Sequence, residues 1–169
     1  MLETIESDAG VLQDWEHRVR LAQLELRWPA APVAAVAHAS GASLALGAPS
    51  DQLFTATEAN EWALCATLAE RDPSRSASLI AALAAEQPEE TEPPVLDVDG
   101  ALLRLRHRAA REANPRLRAL LDAATARALP WLCDDDLLTL GVGAGGRGWL
   151  LHQLPDVGEI PWDQLHAVP

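Results

Sequence analysis

Three arginines on one segment, Arg104, Arg108 and Arg111, recur at steps of four and three residues, so a helix through them carries all three guanidinium groups on one face. Arg106, His107, Arg116 and Arg118 lie nearby in sequence. A guanidinium fork grips a carboxylate or phosphate through paired, charge-assisted hydrogen bonds, so this stripe could hold an acidic peptide or a phosphorylated ligand. The competing reading is a solvated helix face whose charges pair with acids elsewhere in the same chain. These three arginines are the only candidate binding residues that the spacing brings forward, and no catalytic or metal-ligating set accompanies them.

Other constellations are weaker. Gly141, Gly143 and Gly146 satisfy the spacing GxGxxG after an apolar run, which is half of a dinucleotide fingerprint. The continuation Arg147-Gly148-Trp149-Leu150-Leu151 is too short and strand-like to open the helix that must receive a pyrophosphate, so a hairpin turn is expected. Asp134, Asp135 and Asp136 could offer oxygens to a hard cation. Neighbouring side chains on an extended chain point to opposite sides, however, and no EF-hand spacing surrounds these three, which favours a turn. His17, His38, His107, His152 and His166 show no paired-ligand spacing and no GxSxG elbow to serve. Cys65 and Cys133 are far apart in apolar surroundings and read as small buried hydrophobes rather than as a disulfide.

Composition narrows the classes further. All 13 basic residues are arginine, so a Walker-type loop, whose lysine ammonium sits on nucleotide phosphates, has no candidate. The net charge of −12 is uneven: residues 1–100 hold 17 acids and 5 arginines, while residues 101–169 hold 8 of each. An acidic first part speaks against gripping a nucleic-acid backbone and suits solubility or a basic partner. The start Met1-Leu2-Glu3-Thr4-Ile5-Glu6 lacks the basic and apolar regions of a secretory signal, and no stretch reaches membrane-spanning length, so a cytoplasmic location is expected.

The elements that must position these residues form an α+β pattern. An extended piece near Leu2 and Ile5 leads to an amphipathic helix capped by Ser7 or Asp8, with Leu12, Trp15, Val19, Ala22 and Leu26 on one face, ended by Trp28-Pro29. A hairpin follows, with strands over residues 32–37 and 42–46 and its turn at Ser40-Gly41. Thr55 and Glu58 have capping-box spacing for a central core helix, with Phe54 stapled to its first turn. Asp72-Pro73 opens another helix, from Ser74 to about Gln87. We divide the chain into an acidic α+β domain (1–87), a Pro/Glu linker (88–94), a helical pair (95–130) and a β-hairpin connector (131–169). Asp99 is expected to cap the first helix of the pair and Asn114-Pro115 to open the second, which Leu129-Pro130 stops. Beyond Pro155, a tail bearing Trp162 and Leu165 is expected to fray or to cover an apolar patch by self-association.

The segment Phe54-Thr55-Ala56-Thr57-Glu58-Ala59-Asn60-Glu61-Trp62, the entry from Asp134 to Gly141 and the close over residues 160–169 together resemble the N-terminal region of Mur-ligase-type proteins near cyanophycin synthetase. That resemblance covers nearly the whole chain. It implies an ATP-dependent acid–amino-acid ligase that activates a carboxylate as an acyl phosphate and forms an amide, with ATP, magnesium and acyl-transfer groups all held beyond Pro169. It implies as partners the ligase catalytic domain and a peptide or polymer acceptor. Some cyanophycin synthetases carry an HxxEH metal motif in the matching helix; here Glu58 and Trp62 stand at its two histidine positions and only Glu61 matches, so a hidden peptidase is not expected. The alternative is a free-standing binding or oligomerisation module with no ligase attached. Calorimetry of the 169-residue chain with ATP and magnesium should detect no stoichiometric site at micromolar concentration and no ADP, and a saturable site would overturn this reading.

Overall fold

The computed structural model describes residues 9–28, 31–85, 93–134 and 136–165. The fold is α+β, and the chain divides into two compact units, residues 1–113 and 114–169. The two helices grouped at the sequence level as a pair over 95–130 therefore fall in different units. The extended piece near Leu2, the caps Ser7 and Asp8, Pro29 and most of the 88–94 linker lie outside the described residues.

The first unit is built on α1 (Ala9–Glu25), a hairpin of β1 (Val33–His38) and β2 (Gly41–Leu46), then α2 (Leu53–Arg71), α3 (Ser76–Ala85) and α4 (Val98–Glu112). Trp15, Val19 and Ala22 of α1 meet Ala59, Trp62, Ala63 and Ala66 of α2 and Ala101, Leu102 and Leu105 of α4 in one core. Alanines along α2 leave little side chain between backbones, which is why two helices can close on it and why it is the central element. The hairpin pairs Val33 with Leu46 through to His38 with Gly41. Alternation puts Val33, Ala35, Leu44 and Leu46 against the core and leaves Val36 outside, 62% exposed.

Several local expectations are corrected. On α1 the expected Trp15, Val19 and Ala22 are buried, with Leu26 packed against the same core just past the helix end, but Val11 and Gln23 complete the buried face and Leu12 is only half-buried. Gln23 is admitted because its Nε2 donates to Gly47 O at 2.9 Å. Asp97, not Asp99, caps α4, its Oδ1 accepting from Gly100 N at 2.8 Å. Pro73 opens a short 3-10 turn, Pro73–Arg75, and α3 starts only at Ser76.

The second unit sets α5 (Pro115–Ala126) against an antiparallel meander of β3 (Trp131–Cys133), β4 (Leu137–Leu140) and β5 (Arg147–Leu150). Asn114 caps α5 as expected, accepting from Leu117 N at 3.0 Å. Leu138 and Leu140 of β4 are fully buried with Leu117, Leu120, Leu121 and Ala124 of α5. Residues 156–165 are packed rather than frayed: Ile160 and Leu165 enter this same core with Leu154, through 3-10 turns at Val157–Glu159 and Trp162–Gln164.

Two helices stop in the same way, and neither stop needs proline. After α1, Trp28 N reaches Gln23 O at 3.0 Å and Arg27 N reaches Leu24 O at 3.1 Å; after α5, Leu129 N reaches Ala124 O and Ala128 N reaches Thr125 O, both at 3.0 Å. This Schellman geometry demands a left-handed residue, taken here by Arg27 at φ 54° and Ala128 at φ 53°. A side chain in that region meets its own carbonyl, so Ala128→Gly should stabilise the chain by about 1 kcal/mol in urea denaturation, with the unfolding slope unchanged.

Candidate functional site

The arginine stripe is positioned by α4, whose apolar positions Leu102, Leu105 and Ala109 face inward and so turn Arg104 and Arg108 toward α2. There they meet one buried carboxylate. Arg104 Nε donates to Glu58 Oε1 at 2.6 Å, and Arg108 Nε stands 3.0 Å from Glu58 Oε2. The Glu58 side chain is 7% exposed, against 12% for Arg104 and 26% for Arg108. A carboxylate that deep must be compensated, and two guanidinium groups on separate oxygens supply the compensation. Arg111 lies exposed in the last turn of α4 and is itself engaged within the chain.

One turn further, Glu112 completes the attachment of α4 to α2. Its carboxylate accepts from Phe54 N at 2.8 Å, from Thr55 N at 2.8 Å and from Thr55 Oγ1 at 2.6 Å. The expected capping box is absent: Thr55 lies inside the helix, Glu58 points to the arginines, and the N-cap Gln52 makes no side-chain cap bond. A residue 57 positions away does the capping of Thr55 instead. The charge is well placed, since unpaired amides give a helix N-terminus a positive partial charge. Phe54 does not staple the turn and is 67% exposed.

The remaining polar groups of this stretch are engaged as well. Asn60 Oδ1 accepts from Trp15 Nε1 at 2.9 Å, and Trp62 Nε1 donates to Leu96 O at 3.3 Å. Between α2 and α4 lies a small cleft lined by Glu58, Trp62, Leu83, Val95 and Arg104, with room for about one enclosed water molecule.

The other candidates come out as turns and surface groups. Asp134 Oδ1 accepts from Leu137 N at 3.0 Å and from Asp136 N at 3.3 Å, closing the β3–β4 turn; Asp135 is outside the described residues. Gly141 at φ 81° and Gly143 at φ 58° form the β4–β5 turn, with β5 following where a dinucleotide site needs a helix. His17, His38, His107 and His152 are exposed, and His166 is not among the described residues. Among the described residues no group of three His, Cys, Asp or Glu side chains converges as a metal site. Cys65 and Cys133 are free thiols, half-buried rather than fully enclosed. Burial, assisted by Glu61, pushes the Cys65 thiol up to about 11.

Sequence reasoning found Arg104 and Arg108 but missed that Glu58 is their partner and that Glu112 caps α2. Periodicity along α4 marks the arginine face; nothing local reports which residue of α2 lies opposite. No protein-family model matches the sequence, and the comparison with curated proteins gives no match.

Removing Glu58 leaves two partly buried cations facing each other, so Glu58→Ala should cost about 3–5 kcal/mol of unfolding free energy. Arg111→Gln, at an exposed position in the last turn of the same helix, should stay within about 0.5 kcal/mol. Urea denaturation of both variants gives the comparison. The raised Cys65 thiol adds a pH signature. Its folded form stays protonated while the unfolded thiol ionises, so its contribution is complete below the ordinary thiol range and is lost as pH climbs toward about 11. Unfolding free energy should therefore fall over that alkaline interval, and less so in Cys65→Ala.

Proposed function

We propose that this chain is the leading, non-catalytic region of a Mur-ligase-type, ATP-dependent amide-forming ligase of the cyanophycin-synthetase kind. Its role is to dock on the catalytic core and help hold a peptide or polymer acceptor. In this reading ATP and magnesium belong to the core.

One observation carries the proposal. The stretch through which the chain resembles that family, residues 54–62, is a structural seam: Thr55, Glu58, Asn60 and Trp62 each make a tertiary polar contact within the first unit. Side chains held that way build a scaffold and are withheld from chemistry. The absence of lysine points the same way, since the phosphate-gripping ammonium of an ATP loop has no candidate in this chain.

A different observation favours the second reading, a free-standing binding or oligomerisation module. The register of the second unit places Leu132, Thr139 and Gly148 across one face of the sheet, with Leu137 opposite Leu150 on that same face. Leu132 is 66%, Leu137 37% and Leu150 42% exposed, so the outer face is apolar and uncharged.

Two measurements separate the readings. The genomic reading frame after Pro169 should continue into a glycine-rich loop containing Gly-Lys-Thr, and a stop codon there would defeat the ligase reading. Sedimentation velocity over a wide concentration range should show a monomer; self-association abolished by Leu132→Ser with Leu150→Ser would establish the module instead. For the acceptor, titration with an acidic polypeptide at low and moderate salt should show binding that weakens as ions screen it and is reduced in Arg111→Gln, a substitution that spares the Glu58 pair. No binding by the unaltered chain would remove acceptor holding from the proposed role.

A further inference from the structure

The second unit contains an element that is neither helix nor strand and is attached differently from both. Residues 154–165 run over the core in two 3-10 turns, and their backbone hydrogen bonds are local. Glu159 N donates to Asp156 O, Trp162 N to Ile160 O, Gln164 N to Pro161 O and Leu165 N to Trp162 O. Among the described residues, no backbone–backbone hydrogen bond joins this stretch to α5 or to the sheet.

What holds it down is side chains alone. Leu154, Ile160 and Leu165 insert between α5 and β4. Three arginines from three places then reach over it. At the start of α5, Arg116 Nη1 donates to Leu154 O at 2.9 Å and its Nε pairs with Asp156 at 3.1 Å. Just past the end of α5, Arg127 stacks its guanidinium 4.5 Å from the centre of the Trp162 ring, whose Nε1 donates to Val157 O at 2.9 Å. From β5, Arg147 donates to Gln164 Oε1 at 2.7 Å.

We propose that residues 154–165 form a detachable strap, which opens as one piece while α5 and the β3–β4–β5 sheet stay folded. The physical basis is the mismatch in attachment. Opening breaks no described backbone ladder shared with the sheet or α5, and it returns a dozen residues to conformational freedom against three inserted apolar side chains, the half-buried Val157 and Trp162, and polar contacts that are largely exposed. The Arg116–Asp156 pair holds least, since its side chains are 55% and 69% exposed. Arg127 on Trp162 is the stronger clasp, because it fixes a ring already bonded to the strap's own backbone. An open strap uncovers Leu120, Leu121, Leu138 and Leu140, the apolar trough that its own Leu154, Ile160 and Leu165 otherwise fill. The strap is therefore a conformational switch whose closed state conceals an apolar surface.

Native-state hydrogen exchange on the full chain, in increasing sub-denaturing urea, tests this. Strap amides, with the Trp162 indole proton as an internal marker, should exchange by an opening that depends weakly on urea. The amides of Leu138 and Leu140 should exchange only with global unfolding. Ile160→Ala should speed strap exchange by about tenfold or more while raising β4 exchange much less, and Arg127→Gln should act in the same direction more mildly. If strap and β4 amides share one opening free energy and one urea dependence, or if both variants accelerate the two sets equally, the strap is an inseparable part of the core and the proposal fails.

Discussion

The helix packing of the first unit depends on the buried carboxylate of Glu58. Glu58 is fixed between Arg104 and Arg108, and its burial is tolerable only because both of its oxygens face a cation. The pair ties the first third of α2 to the middle and later part of α4, and Glu112 ties them again at the end of α4 by occupying amides of the α2 N-terminus. Apolar contacts among Ala59, Ala63, Ala101 and Leu105 would permit the helices to slide by a turn; an ion pair with fixed geometry does not. Polar contacts thus set the register of two helices whose cohesion comes from burial.

That economy has a consequence for function. Among the residues that look most capable of chemistry, Arg104 and Arg108 of the arginine stripe and Glu58 of residues 54–62 are one another's partners. Net charge alone hides this, because a chain at −12 has ample acid elsewhere on its surface. The indole nitrogens follow the same pattern: Trp15 reaches Asn60, Trp28 reaches Gln52 at 2.5 Å, and Trp62 reaches Leu96 O. A large aromatic can enter the core when its one donor finds an acceptor there. Polar contacts from α1, α4 and the segment before α4 therefore hold α2 on several sides.

The second unit solves the same problem by other means. Its core is almost purely leucine and isoleucine, and its arginines lie over the outside of the closing segment rather than beneath it. One unit uses arginine internally to set helix register; the other uses it externally to fasten a strap. This difference follows from what each arginine meets, a buried carboxylate in one case and an aromatic face, a carbonyl and an amide in the other.

The sequence by itself determined what local rules control. Apolar periodicity marks α1, α2 and α5, caps and arginine spacing mark α4, Asn114-Pro115 opens α5 where it begins, alternation places the first hairpin, and glycine spacing places the turn between β4 and β5. The face carrying Arg104 and Arg108 was legible for the same reason. Only the tertiary structure decided who faces whom. Thr55 and Glu58 fit a capping box by spacing, yet Glu112, far along the chain, offers the Thr55 amide a carboxylate and leaves Glu58 to the arginines. The tail beyond Pro155 shows too little periodicity to announce burial, yet Ile160 and Leu165 are buried because α5 and β4 leave a trough of matching size. Propensity and capping are written within a few neighbouring residues, whereas the competition for a buried amide or an apolar trough is won by whichever group the folded chain brings nearest.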